Sequence, residues 1–183
     1  DLLKHRRRQR QMCIRDRPTT MHHVTVSIGS NIDREFYVYK ALNALDHFFA
    51  PLTVSKSYDC VPVGFEGDNF LNLVVGFECS QSVSDLATLL RQIEDESDRV
   101  RSGEKFASRT LDLDILTFDD LVGIIDGVEL PRGEITENAF VLRPLADIIP
   151  NETHPLTTKT YEQLWSEYDK SSQHVTVTDF TWP

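Results

Sequence analysis

Two aspartates one residue apart, Asp112 and Asp114, sit in a run, Thr110-Leu-Asp-Leu-Asp-Ile115, that alternates apolar and acidic side chains. Alternation of this kind marks a strand, in which residues two apart face the same side, about 6.5–7 Å from each other. Both carboxylates then project together, and Leu111, Leu113 and Ile115 fill the reverse face. Like charges at that spacing repel unless a cation lies between them. Magnesium meets the need, because it takes one or two protein carboxylates and completes its shell with substrate phosphates. An acidic strand face turned to water would give the same pattern. The upstream residues bear on the choice. Beyond residue 17 the chain has twelve Lys/Arg, and four of them, Arg99, Arg101, Lys105 and Arg109, fall in the eleven residues before the aspartates. Guanidinium forks match phosphate oxygens, and phosphoryl transfer is catalysed by positioning and by stabilisation of charge. Cluster and pair outline a polyphosphate-metal site, although the same arginines could pair with Glu94, Asp95, Glu96 and Asp98. Spacing alone leaves both open.

Other chemistries find less support. There is no P-loop, GxGxxG or kinase signature, so a nucleotide would be held by side chains and not by a glycine cradle. No Ser/His/Asp set is apparent: His22 and His23 stand near the chain start, and His47 and His154 are isolated. Cys13, Cys60 and Cys79 form no metal-ligand spacing, and their odd number argues against a disulfide framework. They read as reduced packing residues. Phe70 borders a loop rich in Gly and Pro, and Asn72 points the same way two residues on. An aromatic face beside a carboxamide suits a flat, hydrogen-bonding heterocycle. Phe140 reads by default as core.

The elements that would position these groups follow from periodicity. Val24, Val26 and Ile28 alternate as a half-buried strand ending at Gly29-Ser30-Asn31. From Asp33, a candidate N-cap, the residues Phe36, Ala41, Ala44, Leu45, Phe48 and Phe49 recur at helical spacing until Pro51. Leu52 to Tyr58 and Phe70 to Phe77 read as strands, separated by a loop over 60–69. Ser84 is the expected cap of a second helix carrying Leu86, Leu89, Leu90 and Ile93, and Thr110 to Phe118 is the last strand. The order β-α-β-β-α-β predicts an α+β, ferredoxin-like sandwich with a C-terminal extension.

Composition agrees with one globular domain: 183 residues, 40% apolar and 26% charged. No run approaches the ~18 apolar residues of a membrane span and no secretory signal is recognisable, so a cytoplasmic monomer with neither membrane nor nucleic-acid partner is expected. Residues 1–17 hold seven Lys/Arg against Asp1 and Asp16, a local +5, which leaves −15 of the net −10 to the rest. A body that acidic argues against a nucleic-acid-binding module. The stretch 11–17 resembles the translation of a transposon end used in sequencing libraries. Residues 1–20 are therefore expected to be non-native or disordered, with Met21 the natural start and 21–183 the domain.

Several motifs together resemble the 6-hydroxymethyl-7,8-dihydropterin pyrophosphokinases. They are Ile28-Gly29-Ser30-Asn31, Ser57-Tyr58 with Pro62-Val63-Gly64, Phe70-Leu71-Asn72, Arg109-Thr-Leu-Asp-Leu-Asp-Ile115, Phe140-Val-Leu-Arg-Pro-Leu145 and Ile149-Pro150. The likeness runs over about 24–150. It implies transfer of pyrophosphate from ATP to a reduced pterin in folate biosynthesis, and the ferredoxin-like fold. By the same resemblance Asp112 and Asp114 hold two magnesium ions and act in catalysis with Arg99 and Arg109. Glu94, Arg99, Arg101, Arg109 and Ile115 contact the nucleotide, and Cys60, Val61, Val63, Phe70, Asn72 and Phe140 form the pterin site, with the two Phe rings sandwiching it. The chain departs from the family pattern at Phe106-Ala107-Ser108, where Trp-Gly-Pro is usual, at Arg132, where His is common, at Asn138, often Arg, and at Cys60-Val61, frequently Thr-Pro. A binding-only paralogue is the alternative reading.

Overall fold

Alternation in the first apolar run does produce a strand. In the computed structural model, which describes residues 20–64, 66–97 and 110–183, β1 (His22–Ser30) buries Val24, Val26 and Ile28 on one side. It is followed by α1 (Arg34–Phe49), β2 (Thr53–Val54), β3 (Tyr58–Cys60), β4 (Phe70–Cys79), α2 (Val83–Asp95) and β5 (Asp112–Phe118). The sheet runs β5-β1-β4-β3-β8, with β2 also on β4 and every pairing antiparallel. β8 (Val175–Val177) comes from the C-terminal part. This is the ferredoxin-like α+β arrangement expected.

Two cores flank the sheet. α1 and α2 cover the face carrying Val26, Ile28, Leu73, Val75 and Leu113. On the opposite face α3 (Glu134–Glu137), α4 (Ala139–Ile148) and α5 (Tyr161–Glu167) bury Val74 and Leu116 with Leu142, Leu145 and Tyr161. Leu116 reaches that second core by the ordinary alternation of β5, on the side opposite Leu113 and Ile115. The β1–β5 register passes from Val26↔Ile115 to Thr25↔Thr117, and this bulge brings Thr117 to the Leu116 side, where its hydroxyl lies 2.6 Å from that of Thr25, and returns Phe118 to the first core. A hairpin of β6 (Gly123–Ile125) and β7 (Val128–Leu130) stands beside β5.

Local details differ from the sequence expectation for identifiable reasons. The strand expected over 52–58 is two, because Ser55 donates its N–H to the Val74 carbonyl while its own hydroxyl accepts the Val74 N–H, both at 2.9 Å, and a side chain thereby replaces a ladder carbonyl. α2 is capped by Ser82, whose hydroxyl accepts from the Asp85 N–H, not by Ser84. Asp33 does precede α1 but makes no side-chain cap. Along α1, Phe36 and Phe48 are 65% and 52% exposed, while Val38 and Leu42 join Ala41, Leu45 and Phe49 in the core. That buried set keeps the i, i+3, i+4, i+7 stripe, which the flanking phenylalanines fall outside.

Candidate active site

Register lines up the polar groups of four strands. Asp112 lies opposite Gly29, Gly29 opposite Asn72, and Asn72 opposite Tyr58. One row further in, Asp114 faces Ser27. Residues two apart share a face, so Asp112, Asp114, Asn72 and Phe70 all belong to the face away from α1 and α2. α3 to α5 cover Val74 and Leu116 in the same face, while both aspartates remain partly exposed.

Glycine at the centre of this row is required by contact. A Cβ on Gly29 would stand 2.9 Å from Asn72 Oδ1 and 3.9 Å from the Phe70 ring. The carboxamide lies on bare backbone. Asn72 also hydrogen-bonds the Cys60 thiol, but burial, the larger effect, pushes that thiol up to about 12. Cys60 is thus a buried, neutral thiol and not a nucleophile. Next in the row, the Tyr58 hydroxyl donates to Asp147 at 2.7 Å and accepts from Arg143 Nε at 3.1 Å. Arg143 also pairs with Asp147 at 3.0 Å and lies over the Trp165 ring. Burial first, and then Asp147, push the Tyr58 hydroxyl up to about 12, so it stays protonated and oriented.

The acidic end opens into a cleft of about 360 Å³ lined by Glu94, Arg91, Asp112, Asp114, Ile115, Arg132 and residues of the β6–β7 turn. Glu94 is buried and one of its oxygens accepts the Leu113 N–H at 2.8 Å, on the outer edge of β5. Burial, followed by the charge of Asp112, pushes the Asp114 carboxyl up to about 7, against the lowering effect of Arg132 at 3.2 Å. At Asp114 the repulsion from Asp112 outweighs the attraction of Arg132. Two hard oxygen donors on one face fit magnesium, which needs no more than one or two carboxylates. Among the described residues no group of three or more His, Cys, Asp or Glu could hold a metal, so the donor set does not fit a closed zinc-type site. A larger cavity of about 750 Å³ lies around Gly76, Thr117, Ile148 and Tyr161, and none of the expected site residues lines it.

Other expected residues are placed as follows. Val61 and Val63 are exposed in the 61–69 loop. Its ends are tied by Arg34, which pairs with Asp59 at 2.6 Å and bonds the Asn69 carbonyl, while Asn31 holds the Asp68 carbonyl. Phe140 sits half-buried on α4, packed against the second core. Arg99, Arg101, Lys105 and Arg109 lie outside the described residues. The Tyr58–Arg143–Asp147 network joins Tyr58 to residues 85 or more positions away and is not legible as a whole in local sequence, where Arg132 stands out only as a departure from the family pattern. The i, i+4 spacing of Arg143 and Asp147 on an apolar helix is the available signal for the former.

Fold and site together define a ferredoxin-like α+β domain whose polar chemistry lies on the open part of one sheet face. Residues 25–150 match the family described as 7,8-dihydro-6-hydroxymethylpterin-pyrophosphokinase, and the chain belongs to that family. It is 40% identical over 128 residues to the 2-amino-4-hydroxy-6-hydroxymethyldihydropteridine pyrophosphokinase of Bacillus subtilis strain 168, covering 67% of this chain and 75% of that one. Its identity to the enzyme of the same name from Aquifex aeolicus strain VF5 is 31% over 146 residues, 79% and 91% of the two chains. A solved Plasmodium falciparum HPPK-DHPS triple mutant superposes with a TM-score of 0.67 at 14% identity, over 81% of this chain. The chain spans 43% of that longer protein, and the likeness there is one of fold.

Proposed function

We propose that this protein transfers the pyrophosphoryl group of ATP to the hydroxymethyl group of 6-hydroxymethyl-7,8-dihydropterin, releasing AMP, as a step of folate biosynthesis. The observation that carries the reading is the transverse row: paired carboxylates at one end, a carboxamide seated on a glycine at its middle, and an aromatic beside it. The hydroxymethyl oxygen bonds to the β-phosphorus as the bond from that phosphorus to the α–β bridging oxygen breaks; AMP leaves with the electron pair, and the hydroxyl proton is released to solvent. Two magnesium ions, which Asp112 and Asp114 would hold, supply charge neutralisation on the triphosphate when bound.

The chain's own residues do the remainder. Asn72 reads the pterin edge, and Phe70 and Phe140 hold its faces, with Cys60, Val61 and Val63 as the wall. Arg99, Arg101 and Arg109 carry phosphate oxygens, with Arg99 and Arg109 acting in catalysis, and Glu94 and Ile115 contact the nucleotide. Tyr58, kept protonated, fixes the wall behind Asn72 through Arg143 and Asp147. The protein acts on small molecules as a cytoplasmic monomer, with 21–183 as its single domain. Among the described residues no helix is long and apolar enough to cross a membrane. AMP release measured with the dihydropterin and ATP is the test. Saturable pterin binding with no AMP formed would replace this reading with that of a binding-only paralogue.

A further inference from the structure

Arg132 is held in the cleft from two directions. Its backbone N–H donates to the Leu116 carbonyl at 2.9 Å, which anchors it to β5 two residues beyond Asp114. Its side chain then turns back, with Nη1 at 3.2 Å from Asp114 Oδ1 and Nη2 at 3.6 Å from Glu134 Oε1. The third nitrogen, Nε, is buried without an acceptor. A buried guanidinium N–H left unbonded is costly, and it makes the group ready to take a further anionic oxygen. Asp114 therefore has a cation beside it before any metal arrives, and that cation is itself incompletely satisfied.

Resting on the pyrophosphokinase reading, we propose that Arg132 is a tethered countercharge that competes with the divalent ion for Asp114 and couples metal loading to arrival of the polyphosphate. A metal ion entering alone must displace the guanidinium from Asp114 and leave it with Glu134 and with its own Nε still unpaired. A metal ion entering with a triphosphate offers the displaced guanidinium phosphate oxygens, which match its fork. Metal and nucleotide then favour each other's binding, and by linkage the effect is reciprocal. Arg132 acts first through Asp114, whose carboxylate it occupies, and then as a phosphate ligand once displaced.

The test uses the full chain, manganese as the probe, and the free-ion electron paramagnetic resonance signal, with and without α,β-methylene-ATP. Wild-type protein is expected to bind manganese weakly alone and about tenfold or more tightly with the analogue, within the usual range of coupling between sites. Arg132→Gln is expected to bind manganese alone about tenfold more tightly than wild type and to gain little from the analogue. Arg132→Lys, which keeps the charge, is expected to restore weak unassisted binding; circular dichroism and melting verify that both variants fold. Unassisted manganese affinity in Arg132→Gln equal to or weaker than wild type, while wild type still loads manganese with the analogue and releases AMP, overturns the inference and leaves the reading standing. Absence of manganese binding in wild type under either condition overturns both.

Discussion

Replacing Asp114 by Asn should make the metal-free protein more stable while nearly abolishing turnover. In the folded protein the Asp114 carboxyl lies near 7 instead of its ordinary 3.8, chiefly through burial and then through Asp112. The folded state thus holds this proton more tightly than the unfolded chain does. Its contribution to stability is unimpaired below pH 4 and declines as pH rises from there through about 7. A difference of roughly three units corresponds to a ceiling of about 4 kcal/mol above pH 7. With 28% of the side chain reaching solvent, a gain of ~1–3 kcal/mol is expected, or about 2–4 °C in melting temperature per kcal/mol for a chain of this size. Asn has the shape of the protonated acid and no charge, so the gain should vanish near pH 4. Thermal melts of both proteins in chelator at pH 4 and pH 8 measure it. A variant that melts below wild type at pH 8, or by the same margin at both pH values, would refute the reasoning.

Further outcomes follow from the same geometry. Gly29→Ala places a methyl against the Asn72 carboxamide, so titration calorimetry should show pterin affinity down tenfold or more with ATP affinity kept; unaltered pterin binding would mean that Asn72 does not read the ring. Phe70→Ala should weaken pterin binding by about 1–3 kcal/mol, a value borrowed from nucleobase stacking, and an equal loss for ATP would instead indicate a disturbed fold. Removal of residues 1–20 should leave melting temperature and turnover unchanged, and a large fall in either would place that segment in the domain. Arg109→Ala should lower the maximal rate more than tenfold, over about 1.4 kcal/mol of transition-state stabilisation; single-turnover rates matching wild type would remove it from the chemical step.

Strong local patterns carried most of the fold into view. β1 and β5 announce themselves by alternation, β4 by its aromatic and β-branched content, and α2 by its leucine stripe. Asp112 and Asp114 are legible by the same alternation, since strand geometry fixes their common side. What stayed hidden depends on partners far apart in sequence. Nothing local to Ser55 says that its hydroxyl meets Val74, nor does the text around Arg132 say that its charge lies on Asp114. The exposed Phe36 and Phe48 misled because α1 offers more apolar residues than its buried stripe can use. Val175-Thr-Val177, three residues long and flanked by polar sequence, is too short to show a period.

That short strand bears on how the chain is synthesised. β8 pairs along β3, Thr178 bonds Ser57 through backbone and hydroxyl, and Trp182 donates to Asn43 on α1 while packing with Phe180 against the first core. On the ribosome, β3 and β4 emerge about a hundred residues ahead of this cover. During that interval the nascent sheet has an unpaired edge of the kind that recruits other strands. Misassembly between neighbouring nascent chains should therefore be governed by how quickly residues 175–182 are delivered, and slow translation of the stretch between β4 and these residues should lower soluble yield without altering the folded product.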